Sequence, residues 1–147
     1  MADHNDFGKV AEDLAVDFLE KAGYKILVRN FRFRHAELDI IAQKDELVVV
    51  VEVKARNSDA FISPQEAVTK SKIKLIILAT DHYLATFNPN KEVRFDIISV
   101  QPDESGKLAI EHLPDAFDAY DAINFRFNFK IKKTCYFQVL IFFLNVF

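Results

Sequence analysis

The sequence predicts an α/β fold, a mixed β-sheet flanked by helices in the order α-β-β-β-α-β-β. Three observations predict it. Two segments, 6–22 and 63–87, carry apolar residues at helical spacing. Two β-branched runs, 37–43 and 46–54, meet at the break Lys44-Asp45 and read as a hairpin. Further strand-like segments lie at 24–30, 93–100 and 108–113. A chain of 147 residues, half hydrophobic and 28% charged, is long enough for one domain with its own core.

In the first helix Phe7, Val10, Ala11, Leu14, Ala15, Phe18 and Leu19 form one stripe. Asn5 or Asp6 can cap its start, and Gly23 can take the left-handed conformation after its end. Glu12 sits at the edge of the stripe and can reach inward. Tyr24 to Asn30 is the first strand, and Phe31 to Arg34 alternates aromatic and basic residues on the way into the hairpin. With Lys44-Asp45 as the loop, Asp39 faces Val50 and Glu37 faces Glu52. Side chains alternate with period two, so Asp39, Glu52 and Lys54 share a face, with Asp39 diagonal to Glu52. A one-residue change of loop length would separate them.

Ser63-Pro64-Gln65-Glu66 is a helix start, with a Ser cap, Pro at the first position and Glu three residues after the Ser. Asn88-Pro89-Asn90 ends that helix, and Pro102 to Gly106 turns between the last two strands. From Phe125 the character changes, with seven of the 15 Phe in the final 23 residues. The apolar part, Tyr136 to Phe147, is too short to span a bilayer. It reads as an extra strand, a buried helix, a membrane-surface or partner-binding segment, or an appendage without function.

The net charge of −3 excludes a bulk basic field, so a nucleic-acid partner would meet a local patch. A single cysteine, Cys135, excludes an internal disulfide and a multi-cysteine zinc site, and fits a reducing cytoplasm. The polar, acidic start lacks the plan of a signal peptide.

Within the hairpin, Glu37, Asp39, Glu52 and Lys54 stand where apolar residues are expected. Buried charges are costly unless paired or bound to a metal, and such conflicts mark functional sites. Phosphodiester chemistry needs a metal that polarises phosphate and activates water. Magnesium or manganese takes a few carboxylates and keeps several waters. Asp39 and Glu52 suit that role, with the Val53 carbonyl as a further ligand and Lys54 as the water-orienting or charge-stabilising group. Glu12 would support from the first helix. Cross-strand salt bridges on a solvated face explain the same spacing equally well. The apolar run Val48 to Val51 argues against a solvated face.

Arg29, Arg32, Arg34, Arg56, Lys70, Lys72 and Lys74 lie near this face and suit a phosphate backbone. Gln65 either donates to phosphate or completes the cap. Phe31 and Phe33 are core aromatics or base-stacking groups. His35 is a surface or loop histidine or a phosphate contact, the former being the readier reading, and His4, His82 and His112 receive no role.

Asp39…Glu52-Val53-Lys54, with a glutamate on the preceding helix, resembles the PD-(D/E)XK nucleases of the restriction-endonuclease-like fold. More closely, Gly8-x-x-x-Glu12-x-x-Ala15, Gly23-Tyr24-x-Ile26, Arg29-Asn30-Phe31-Arg32, Ala36-Glu37-Leu38-Asp39-Ile40-Ile41, Val51-Glu52-Val53-Lys54-x-Arg56 and Arg94-Phe95-Asp96-Ile97-Ile98 resemble the bacterial YraN family. That family is uncharacterised, endonuclease-related and similar to Holliday-junction resolvases. The resemblance covers roughly residues 5–120 and implies a nuclease-like domain over 1–120, with 121–147 as a tail outside it. It implies Mg²⁺ or Mn²⁺ at Asp39 and Glu52, Lys54 in catalysis, Glu12 as an outer carboxylate, DNA as partner, and a homodimer if two strands are cut. Alanines at Ala11 and Ala36 stand where the family often has glycine. A nucleic-acid-binding module that does not cut, and a structural or interaction domain, are the alternative functions.

Overall fold

The computed structural model describes residues 3–56 and 68–119. The helix start at Ser63 to Glu66, Gln65 with it, and the Phe-rich tail lie outside the described residues. The elements follow the predicted order: α1 (Asp3–Lys21), β1 (Lys25–Phe33), β2 (Ala36–Lys44), β3 (Leu47–Ala55), α2 (Lys70–Phe87), β4 (Val93–Pro102) and β5 (Leu108–Phe117). The strands form one mixed sheet in the order β1-β2-β3-β4-β5. The pair β3–β4 is parallel, with α2 lying between them in the chain, and the other three pairs are antiparallel.

One helix covers each face. Ala11, Ala15 and Leu19 of α1 pack on Ile40, Ala42, Val49, Val51, Ile98 and Val100. Ile73, Ile76, Ala79 and Tyr83 of α2 pack on Ile41, Val48, Val50, Phe95 and Ile97. Strand β3 is thus covered on both sides, as its unbroken apolar run requires. Val10 is the stripe residue that misses the core and stays exposed. At the end of α1, Gly23 has φ +84°, its N–H donates to Glu20 O, and the Tyr24 N–H donates to Leu19 O. This double bond pattern closes the helix through a left-handed glycine.

Several expected boundaries move. Helix α1 already runs through Asn5 and Asp6, so neither caps it. Strand β1 continues through Phe31 to Phe33, beyond its expected end at Asn30. Helix α2 starts at Lys70 rather than running unbroken from Ser63, because Thr69 is extended and its hydroxyl accepts from the Lys72 N–H. Strand β5 passes Pro114 to reach Phe117, which an edge strand tolerates at an irregularity in the β4–β5 register.

The hairpin turn is the correction with most consequence. Lys44 pairs with Leu47, so the loop is Asp45-Glu46 and not Lys44-Asp45. Lys44 is held in the strand because its ammonium donates to Ala22 O at 3.0 Å and lies 4.6 Å over the Tyr24 ring. Asp45 takes the left-handed conformation instead, at φ +54°. Every β2–β3 partner is displaced by two residues: Ile41, not Asp39, faces Val50. A shift of two preserves the faces, whereas a shift of one would have exchanged them.

Candidate active site

The site lies where β2 parts from β3. The last pair between them is Ile40 with Val51. One residue further, the alternation of β2 breaks: Ile40 is buried against α1, and Leu38 against α2. The neighbouring strand breaks at the same level, with Arg29 turned toward α1, Phe31 packed on the α2 core and Asn30 between them at φ +51°. The β1–β2 ribbon therefore turns over at Asn30 and Asp39. This leaves the Val53 N–H without a strand partner, and the Asp39 carboxylate takes it, Oδ2 accepting at 2.8 Å. The structure uses the amide of Val53, a contact that the expected role for its carbonyl did not anticipate.

Glu52 is 4% exposed and is held by two ammonium groups on one oxygen. Lys54 Nζ lies 2.9 Å from Oε1, and Lys72 Nζ reaches the same Oε1 at 3.3 Å from the first turn of α2. Lys72, expected among the phosphate contacts, is thus part of the carboxylate cluster. Asp39 is close enough to feel it: burial first and Glu52 second push its carboxyl up to about 7, against the lowering influences of the Val53 amide and Lys72. Glu12 raises it slightly further, from the α1 side. Two carboxylates and two ammoniums thus converge from β2, β3 and α2.

The outer residues are sorted by the same geometry. Glu12 stands 4.0 Å from Arg29, which binds Asp13 at 2.6 Å, so Arg29 serves the α1–β1 junction. Glu37 does not face Glu52 across the hairpin; it pairs with Arg32 of β1, accepting from its guanidinium at 3.1 and 3.2 Å. Arg34 is exposed at φ +54° and lies 5.3 Å over the Phe33 ring. Phe33 stacks on His82 at 3.9 Å and Phe31 packs edge-on to Tyr83, so both are built into the α2 side. Arg56 is half-buried at the end of β3, its N–H donating to Val100 O. Lys70 and Lys74 are exposed on α2.

Two features escaped the sequence reading. On β4, fully buried Asp96 accepts from Arg94 with both oxygens at 2.8 Å, from the Asp115 N–H at 3.0 Å, and lies 2.8 Å from His112 Nε2. Burial alone would push the Asp96 carboxyl up, and the hydrogen bonds with His112, Arg94 and Asp115 outweigh it, holding it below the ordinary value. The signal was present as two charges, Arg94 and Asp96, inside an apolar strand. The second feature is Ser99, buried with no hydrogen-bond partner for its hydroxyl among the described residues. It pairs with Lys54 across the parallel β3–β4 register, at the same end of the sheet.

The residues matched by known proteins include this site. The profile of the uncharacterised protein family UPF0102 matches residues 11–100. The chain belongs to that family. A UPF0102 protein of Flavobacterium psychrophilum is 50% identical over 117 residues, covering 80% of this chain and 98% of that protein. One from Bacteroides fragilis is 47% identical over 117 residues, covering 80% of this chain and 96% of its own. One from Parabacteroides distasonis is 45% identical over 119 residues, at 81% and 98% coverage.

Among the described residues no three His, Cys, Asp or Glu side chains gather as a metal cage, and no helix is long and apolar enough to cross a membrane. The donor set at Asp39 and Glu52 is nevertheless the kind that a magnesium-like ion accepts, with two carboxylates and the remaining positions left to water. Two ammonium groups already neutralise Glu52.

Proposed function

We propose that this protein is a divalent-metal-dependent endonuclease-like protein acting on DNA, with the restriction-endonuclease-like core implied by its sequence motifs. The observation that carries the reading is the convergence of Asp39 and Glu52 beside Lys54 where β2 leaves β3. Mg²⁺ or Mn²⁺ bound there would polarise the phosphate and lower the pKa of water. Asp39 and Glu52 would hold the ion, with the Val53 backbone fixing Asp39 through its N–H. Lys54 would orient the attacking water or stabilise the charge developing on the phosphate. Glu12 would support from α1, and Arg34 and Arg56 would meet a phosphate backbone. A double-strand cut would require a second copy of the chain.

The test is incubation of the purified protein with branched, flapped and single-stranded DNA, with and without Mg²⁺ or Mn²⁺. Cleavage is expected with metal, and Asp39→Ala and Lys54→Ala are expected to abolish it while DNA binding persists. DNA bound in a salt-dependent way but never cut would instead make the protein a non-catalytic nucleic-acid-binding module. No DNA binding at low salt would overturn both.

A further inference from the structure

The same Glu52 oxygen holds Lys54 and Lys72, and the two ammoniums are not equivalent. Lys54 is on the same strand, two residues along, with the shorter contact and 26% side-chain exposure. Lys72 comes from a different element, with a contact longer by 0.4 Å (3.3 against 2.9 Å) and 33% side-chain exposure. It also sits in the first turn of α2, which has no acidic residue. A cation there opposes the helix dipole, so the helix itself does not favour Lys72 at that place. Glu52 does.

Charge balance then decides what a divalent ion would do. Asp39, Glu52 and Glu12 against Lys54 and Lys72 leave one negative charge when all are ionised. Adding an ion of charge +2 leaves one uncompensated positive charge in a half-buried pocket, which is costly. One ammonium must withdraw, and Lys72 is the one with the weaker hold and the route to solvent. Resting on the function proposed above, we infer that Lys72 is the exchangeable counter-ion of this site: it neutralises Glu52 until a divalent cation takes that carboxylate, and is then freed toward a phosphate of the nucleic acid. Metal loading and polyanion binding are thereby coupled through one side chain.

The experiment is a Mn²⁺ titration, read by electron paramagnetic resonance of the free ion, on the wild type and on Lys72→Gln, Lys72→Arg, Lys74→Gln and Glu52→Gln. Lys72→Gln is expected to tighten Mn²⁺ binding about tenfold, within the usual range of coupling between two ligands. Lys72→Arg keeps the charge and should stay near the wild type. Lys74→Gln removes the same charge from an exposed position and should change affinity far less. Equal tightening by Lys72→Gln and Lys74→Gln would mean a general field and would overturn the exchange. Unchanged or weaker binding by Lys72→Gln overturns it too, and leaves the metal-site reading intact if Glu52→Gln still abolishes binding. Absence of saturable Mn²⁺ binding in both the wild type and Lys72→Gln overturns both readings.

Discussion

Asp39→Asn removes one charge from the pocket and retains a carbonyl oxygen to accept the Val53 N–H. The Asp39 carboxyl rises from 3.8 to about 7 in the folded protein. Between those values the folded state binds a proton that the unfolded state has released. Folding stability is therefore fully present below the unfolded value and is lost as pH rises through the folded one. Three units correspond to at most about 4 kcal/mol. Partial access of water to the pocket cuts this to about 2 kcal/mol. Asp39→Asn has no such proton to lose, so it should be more stable than the wild type by about 2 kcal/mol at pH 8. The gap should fall by more than half at pH 5, where Asp39 is largely protonated. Urea denaturation of both proteins at pH 5, 6.5 and 8 measures this directly. Groups away from the cluster act equally in both proteins and cancel in the difference, so the gap reports Asp39 together with its coupling to Glu52. An asparagine variant equal to or weaker than the wild type at pH 8 would refute the account of Asp39 as a strained carboxylate.

Three further outcomes follow from the same contacts. Asp96→Asn should cost about 3 kcal/mol, because it leaves the Arg94 guanidinium partly buried without its counter-charge; since the folded Asp96 carboxyl is held low, the wild type should also lose stability as pH falls below the ordinary carboxylate range, and the variant should show a weaker acid limb in chemical denaturation. Ser99→Ala should be neutral or stabilising by up to about 1 kcal/mol, as it deletes a buried hydroxyl without a partner, and a loss above 1 kcal/mol in urea would reveal a hydrogen bond not visible among the described residues. Mn²⁺ at a hundred times its dissociation constant should add about 2.7 kcal/mol to wild-type stability and far less to Glu52→Gln, a difference that thermal unfolding would detect.

Element order was legible because it depends on local pattern. The run Val48 to Val51 reads as a strand covered on both faces and Gly23 as a left-handed stop, and both are found so. Register was not legible, because it turns on a contact between Lys44 and the Ala22 carbonyl, 22 residues away. The start of α2 was missed for a different reason. Ser63 to Glu66 has every feature of a cap, yet Thr69 caps the described helix, and local propensity did not distinguish the two. The charges of the site were visible as exceptions within apolar strands. Their partners were not: His112 reaches Asp96 from β5 and Lys72 reaches Glu52 from α2, and neither pairing has a spacing rule.

The turnover of the β1–β2 ribbon explains why so many charges can gather in a sheet this apolar. A regular β2 would continue to pair with β3 past Ile40 and would satisfy the Val53 N–H with a backbone carbonyl. Asp39 would then stand on one face as an isolated charge, at the full desolvation cost. Asn30 permits the alternative, since asparagine tolerates the left-handed conformation better than other non-glycine residues. Once the ribbon turns, Asp39 substitutes for the missing backbone acceptor and feels Glu52, Lys72 and Glu12 together. The same opening lets a lysine from α2 reach a glutamate at the end of the central strand. The irregularity in the outer strands is therefore the structural condition for the cluster, and the strain held there is electrostatic: an Asp39 carboxyl pushed toward neutrality, relieved by any cation that enters.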